Sequence, residues 1–286
     1  MSARATKKKK TTTSGPGRSE VFQLQVRGLR KSFGEQPVLR GIDLDVERGR
    51  INVVIGGSGA GKSVLMKHLI GLIKPNEGHI WVDGEDIVPM DDFVLNTVRE
   101  KFGMLFQYAA LFDSMTVEEN VMFPLVEHKR REMSRASMRE LVREKLHALG
   151  LFSIEEKYPS ELSGGMRKRV GLARAIVMEP EILFYDEPTT GLDPIATKNV
   201  DDMIQEISEK FEVTSVVISH DMASTFRIGH RVSMLYKGEI IATGTPQEIL
   251  KDPPDHLREF LQTSGAVSVG SPSSRSLASA ERSEDL

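Results

Sequence analysis

A chain of 286 residues with 39% hydrophobic content can bury a substantial core, and with no cysteine it must hold that core by packing, without disulfides or thiolate metal sites. A formal charge of −3 excludes the global basic field of a dedicated nucleic-acid binder, although Lys7 to Lys10 form a local basic cluster. No run approaches the roughly 18 apolar residues that a membrane-spanning helix needs, and the lysines of the N-terminus have no apolar stretch behind them to resemble a secretory signal.

Residues 1–20 read as a disordered basic tail on composition. Folding signals start at Val21, where Val21-Phe22-Gln23-Leu24-Gln25-Val26 alternates apolar and polar, and Ile42 to Val46 repeats the pattern; together they predict an antiparallel sheet. Ile51 to Ile55 is a near-continuous apolar run that ends in glycines, and Lys62 to Ile73 has helical spacing, so a buried strand, a loop and a helix follow in order. From Thr116 to about Tyr158 the pattern is helical and charge-rich, with Glu140, Arg143, Glu144 and His147 opposite Leu141, Leu146 and Leu149. The apolar runs Ile182 to Tyr185 and Val213 to Ile218, separated by a helical stretch from Ile195 to Phe211, restore a parallel α/β pattern. Val232 to Tyr236 and Glu239 to Thr243 flank Lys237-Gly238 as a hairpin in which glycine supplies a positive φ. Residues 262–286 collapse to Ser, Ala, Gly and charge, the composition of a disordered tail.

Gly56-Gly57-Ser58-Gly59-Ala60-Gly61-Lys62-Ser63 fits G-x-x-x-x-G-K-[ST], directly after a buried strand and before a helix. Glycines allow backbone N–H groups to turn inward around a β-phosphate, and the helix N-terminus adds a positive dipole. In this motif Lys62 is expected to neutralise the β/γ oxygens of a bound nucleotide and the Ser63 hydroxyl to ligate Mg²⁺. The loop alone leaves kinases, GTPases, helicases and transport ATPases open, since all need this cradle.

Leu162-Ser163-Gly164-Gly165-Met166 opens a helical stretch to about Met178 and resembles the signature of ATP-binding cassette (ABC) proteins, with Met166 where glutamine is usual. The resemblance covers about residues 21–261 and implies an α/β fold: a P-loop NTPase core, with a mixed sheet and an antiparallel β subdomain, plus a helical signature subdomain at about 108–178. It implies a homodimer in which Ser163, Gly164 and Gly165 of one subunit touch the γ-phosphate of ATP bound to the other. Ile182-Leu183-Phe184-Tyr185-Asp186-Glu187 resembles the Walker B strand, which makes Asp186 a Mg²⁺ holder and Glu187 the general base. His220 matches the switch histidine, and Gln107 the glutamine that senses Mg²⁺ and the attacking water. Asp193, in Gly191-Leu192-Asp193, matches the loop that crosses the dimer seam, and Phe33 the aromatic that stacks on adenine.

A single cassette without membrane helices implies a peripheral subunit docked on an integral membrane permease. Met104 to Thr116, Phe123 to His128 and Gly164 to Arg169 look closest to the ATPases of Mla and related MCE lipid-trafficking systems. That likeness implies an MCE-domain lipid-binding partner, a small STAS-like subunit, no nucleic acid, and a place at the cytoplasmic face of a bacterial inner membrane. Amino-acid importers share the glutamine and the later Met-Thr-Val-Glu-Glu-Asn-like run but usually not the Ala-Ala-Leu-Phe step; a soluble, non-transport cassette is the other alternative.

Overall fold

The computed structural model describes residues 19–251, 253 and 256–258. The two tails expected at 1–20 and 262–286 lie outside the described residues, apart from Ser19 and Glu20, and so do residues 259–261 at the end of the expected domain.

Two long antiparallel strands, β1 (Phe22–Phe33) and β2 (Gln36–Glu47), extend the expected alternation, and Leu24 pairs with Val46 and Val26 with Leu44. Leu24, Val26 and Leu29 of β1 and Leu39, Ile42, Leu44 and Val46 of β2 are buried. β3 (Ile51–Ile55) is buried throughout, and its one polar residue, Asn52, bonds the backbone of Glu47 and Arg50, so it closes the turn from β2 without leaving a group unsatisfied. α1 (Lys62–Leu69) stops short of the predicted Ile73 because Gly71 takes φ +69°, the left-handed value that ends helices, and packs against Leu95. The next stretch, for which the pattern made no prediction, holds β4 (Glu77–Val82), β5 (Glu85–Asp86), α2 (Asp92–Arg99) and β6 (Phe102–Leu105).

The predicted helical region resolves into α3 (Val117–Lys129) and α4 (Arg135–Ala148), started by the side chains of Thr116 and Ser134. On α4 the polar face is exposed as expected, but Lys145 lies inside, bonded to Glu179 at 2.8 Å and Glu144 at 3.2 Å. α5 (Gly164–Ile176) returns the chain to the core; a Cβ on Gly171 would sit 2.8 Å from that of Ala109, so this glycine sets how closely the helix approaches the Ala109 loop. β7 (Ile182–Asp186), α6 (Pro194–Lys210), β8 (Thr214–Ser219), α7 (Met222–Ile228), β9 (Arg231–Tyr236), β10 (Glu239–Gly244) and α8 (Pro246–Lys251) follow. In the β9–β10 turn both Lys237 (φ +46°) and Gly238 (φ +82°) are left-handed, so the turn needs more than the single positive φ predicted for glycine.

The strands form two sheets, an antiparallel one in the order β2-β1-β4-β5 and a mixed one in the order β10-β9-β3-β8-β7-β6. Strands β9 to β6 of the second sheet run parallel, with β10 an antiparallel edge. The buried strands divide their side chains between two cores: Val54, Ile182, Phe184, Val216 and Ile218 face the antiparallel sheet and α1, whereas Val53, Leu183, Tyr185 and Val217 face the helical side.

Candidate active site

Parallel register brings the carboxyl ends of three strands to one rim. Ile55 of β3 pairs with Ser219 of β8, and Asp186 of β7 with Ile218, so the chain leaves these strands at Gly56, His220 and Glu187 side by side. The cleft at this rim has a volume of about 810 Å³ and is lined by Val38, Gly57, Ser58, Gly59, Gly61 to Val64, Glu187 and His220.

Within the cleft, the Lys62 ammonium donates to the Gly56 carbonyl at 2.8 Å and the Gly57 carbonyl at 3.2 Å, and stands 3.4 Å from Glu187 Oε1. The other Glu187 oxygen accepts from the Thr190 hydroxyl at 3.0 Å and meets His220 Nδ1 at 3.1 Å. Glu187 itself has φ +47°, a left-handed value rare for a residue with a side chain, and its N–H is fixed to the Ile218 carbonyl at 2.9 Å. Burial pushes the Glu187 carboxyl up, but the Thr190 hydroxyl, His220 and Lys62 outweigh it and hold the group below the usual glutamate range. Asp186 goes the other way: burial, then the neighbouring Glu187 charge, raise it against the pull of Lys62 and Lys67. Two adjacent carboxyls are thus pushed in opposite directions by their surroundings, Glu187 down and Asp186 up.

Of the residues singled out from the sequence, Gly57, Ser58, Gly59, Gly61, Lys62, Ser63, Glu187 and His220 share the cleft. Gly56 and Ala60 belong to the same loop but not to its lining, and Ala60 is buried. Ser163 caps α5 by accepting from the Met166 N–H at 3.2 Å and is exposed together with Gly164 and Gly165; Asp193 caps α6, accepting from Ile195 and Ala196 at 2.9 Å. Neither group lines the cleft of its own chain. Phe33, 51% exposed at the end of β1, and Gln107, whose amide meets the Tyr108 hydroxyl at 3.4 Å, also lie outside the lining. For Gln107 the strand order gives the reason: β6 is three strands from β3, about 14 Å at ordinary strand spacing. Sequence reading missed Val38 and Thr190. A threonine three residues after a carboxylate carries no distinguishing signal, and Val38 enters the cleft only because β2 runs behind the loop.

The model of the ABC transporter family matches residues 39–190. The chain belongs to the ABC transporter family. Over 86% of this chain and 71% of its own length, the "Probable ribonucleotide transport ATP-binding protein mkl" of Mycobacterium leprae is 39% identical. The intermembrane phospholipid transport system ATP-binding protein MlaF of Escherichia coli is 38% identical over 83% of this chain and 88% of its own. Among solved structures, the ATP-binding cassette MJ0796, a dimer in a post-hydrolysis state with ADP and Pi, matches with a TM-score of 0.69 at 30% identity, covering 78% of this chain and 98% of that one. This ABC protein is an ATPase with the P-loop NTPase fold, and its cleft carries a phosphate loop, a lysine and an ionised carboxylate as that reaction requires. No helix of the described residues is long and apolar enough to cross a membrane.

Proposed function

We propose that this ATPase powers movement of phospholipid or a related apolar lipid through a separate membrane permease, working as a homodimer at the cytoplasmic face of a bacterial inner membrane. The observation that carries the reading is the 38% identity to MlaF along 88% of that protein. A second feature supports a permease partner. A groove of about 440 Å³ opens between β6, α3 and the loop before α3, bordered by Phe106, Ala110, Phe112 and Phe123. Phe112 and Phe123 stand 5.0 Å apart by ring centroids, and the Arg174 guanidinium lies 5.7 Å from the Phe112 ring while bonding the Ala109 and Ala110 carbonyls. Such a groove accepts a short amphipathic helix with an aromatic anchor at its wall. An MCE-domain lipid-binding protein and a small STAS-like subunit complete the proposed assembly.

In the proposed chemistry, Glu187 takes a proton from water attacking the γ-phosphate, His220 steadies the Glu187 carboxylate, and Lys62 neutralises phosphate charge. Ser163, Gly164, Gly165 and Asp193 act on the nucleotide of the partner subunit, Phe33 receives the adenine, and Gln107 senses the ion and the water. Mg²⁺ would be held by Ser63 and Asp186 and would neutralise charge on the β- and γ-oxygens. The fit is chemical. Both side chains offer hard oxygen donors, the ligand type this ion takes, with phosphate and water able to supply the rest.

The test is to purify the ATPase with its membrane partner and to identify co-purifying small molecules by mass spectrometry. Phospholipid and an MCE-domain protein are the expected finding. A complex carrying an amino acid or a nucleotide cargo, with no lipid-binding subunit, overturns the lipid reading and leaves the ATPase standing.

A further inference from the structure

The phosphate loop is braced from behind by the β9–β10 hairpin, and we infer that Gly238 is a positioning residue for nucleotide binding. Gly238 does not itself line the cleft, yet its backbone joins two elements that form the cleft. Its N–H donates to the carbonyl of Ala60, inside the phosphate loop, at 3.2 Å, and its carbonyl accepts the N–H of Arg40 on β2 at 2.8 Å. Two residues from Arg40, Val38 lines the cleft, and its carbonyl is 2.3 Å from where a Cβ on Gly238 would stand and 3.3 Å from where one on Gly61 would stand. Two residues upstream of Lys237, the Leu235 carbonyl would lie 2.3 Å from a Cβ on Gly56. The loop therefore rests against β9 at its start, and the turn ties its centre to β2.

This arrangement decides which way the loop presents its N–H groups. Ala60 is buried and its carbonyl is spent on Gly238, so the peptides on either side are held with Gly59 and Gly61 lining the cleft, where inward-turned N–H groups would meet phosphate. Any side chain at 238 meets two obstacles, the left-handed φ of +82° and the Val38 carbonyl. Relief requires the turn to draw back, which pulls on Ala60 and Val38 together. Glu187 and Thr190 follow β7 and His220 follows β8, outside the turn's hydrogen bonds to Ala60 and Arg40, so the penalty falls mainly on nucleotide affinity rather than on the chemical step.

The protein contains its own control. Asp83-Gly84, between β4 and β5, has nearly the same turn geometry, with φ +51° and +84° against +46° and +82° for Lys237-Gly238. Gly84→Ala carries the same backbone penalty at a turn that borders no cleft residue. Using the full chain, nucleotide affinity is measured with a fluorescent ATP analogue, with kcat and KM for ATP hydrolysis and the melting temperature alongside. Gly238→Ala is expected to weaken nucleotide binding and raise KM by about tenfold, the scale of one lost hydrogen bond plus local strain, with kcat at saturating ATP within about twofold of wild type. Gly84→Ala, which carries the φ penalty without the Val38 clash, is expected to lower the melting temperature and to leave affinity unchanged. Should Gly238→Ala fail to fold, Gly238→Asn tolerates the left-handed φ but keeps the Cβ against Val38, and is paired with Gly84→Asn. Wild-type affinity in the folded 238 variant, an equal loss in the Gly84 variant, or a fall in kcat with KM unchanged overturns the assignment.

Discussion

The Lys62 ammonium lies 3.4 Å from the Glu187 carboxylate, so the cation that neutralises phosphate and the base that activates water are direct neighbours across the cleft. Replacing Glu187 by glutamine keeps the shape of the side chain but removes its charge, one of its two acceptor oxygens and its ability to take a proton. Hydrolysis should fall by about 10²-fold or more while ATP binding persists and an ATP-bound dimer accumulates on size exclusion. Turnover within about threefold of wild type removes Glu187 from the role of base.

Thr190 reaches the same carboxylate from the opposite side, donating at 3.0 Å. Because Glu187 is held below the usual glutamate range, the acid limb of the kcat profile that reports it lies below the pH where an ordinary glutamate titrates, and activity is flat with respect to this group from there to neutrality. Thr190→Ala removes the largest single contribution that lowers the group, so the limb should move to higher pH without a change in ATP affinity. An unmoved limb contradicts the assignment of that limb to Glu187.

Asp186 gives the opposite sign. Its folded-state carboxyl is raised, by burial first and by Glu187 next, so the unfolded chain loses this proton at lower pH than the folded one. The penalty is absent below the unfolded value and grows as pH rises through the window up to the folded value, and at neutral pH it is fully present. Asp186→Asn should therefore raise the melting temperature of the protein without nucleotide at pH 7 by roughly 2 °C while abolishing Mg²⁺-dependent hydrolysis. A lower melting temperature at that pH contradicts the argument.

Lys62 and Ser163 separate the two halves of the proposed dimer site. Lys62 lines the cleft, whereas Ser163 sits exposed at the start of α5 outside it. Lys62→Ala should lose nucleotide affinity in its own subunit. Ser163→Arg should bind ATP as wild type when monomeric and fail to hydrolyse it, since the arginine obstructs closure. Normal hydrolysis by Ser163→Arg, followed as phosphate release, excludes the paired arrangement for this protein.

Phe112 tests the groove. Its loop is pinned by the buried Asn120, whose amide donates to the Phe112, Met115 and Thr116 carbonyls and whose oxygen accepts the Phe112 N–H at 2.8 Å. The backbone should hold its place when the half-exposed ring is replaced, so Phe112→Asp is expected to abolish co-purification with the permease and to leave the melting temperature within about 2 °C of wild type. Retained complex formation excludes this ring as an anchor.

What the sequence determined by itself is local. The phosphate loop, the carboxylates at the end of an apolar strand, and the exposed charged face of α4 are legible because spacing and residue type suffice to predict a loop, a strand end or a helix face. Lys145 marks the limit, since its position in the polar pattern gives no sign of the buried pairing with Glu179 supplied by a residue 34 positions away. The tertiary structure decided which residues meet. The order β3-β8-β7 sets residues 56, 220 and 187 beside one another, and the same order leaves Gln107 of the β6 end three strands away. Thr190, Val38 and Gly238 join the site through backbone paths that only the packed sheets create: a left-handed Glu187 hooked to β8, a strand running behind the loop, and a turn whose N–H finds Ala60 178 residues earlier. Hydrogen bonds of this kind depend on strand register rather than side-chain type, so the sequence carries no mark of them.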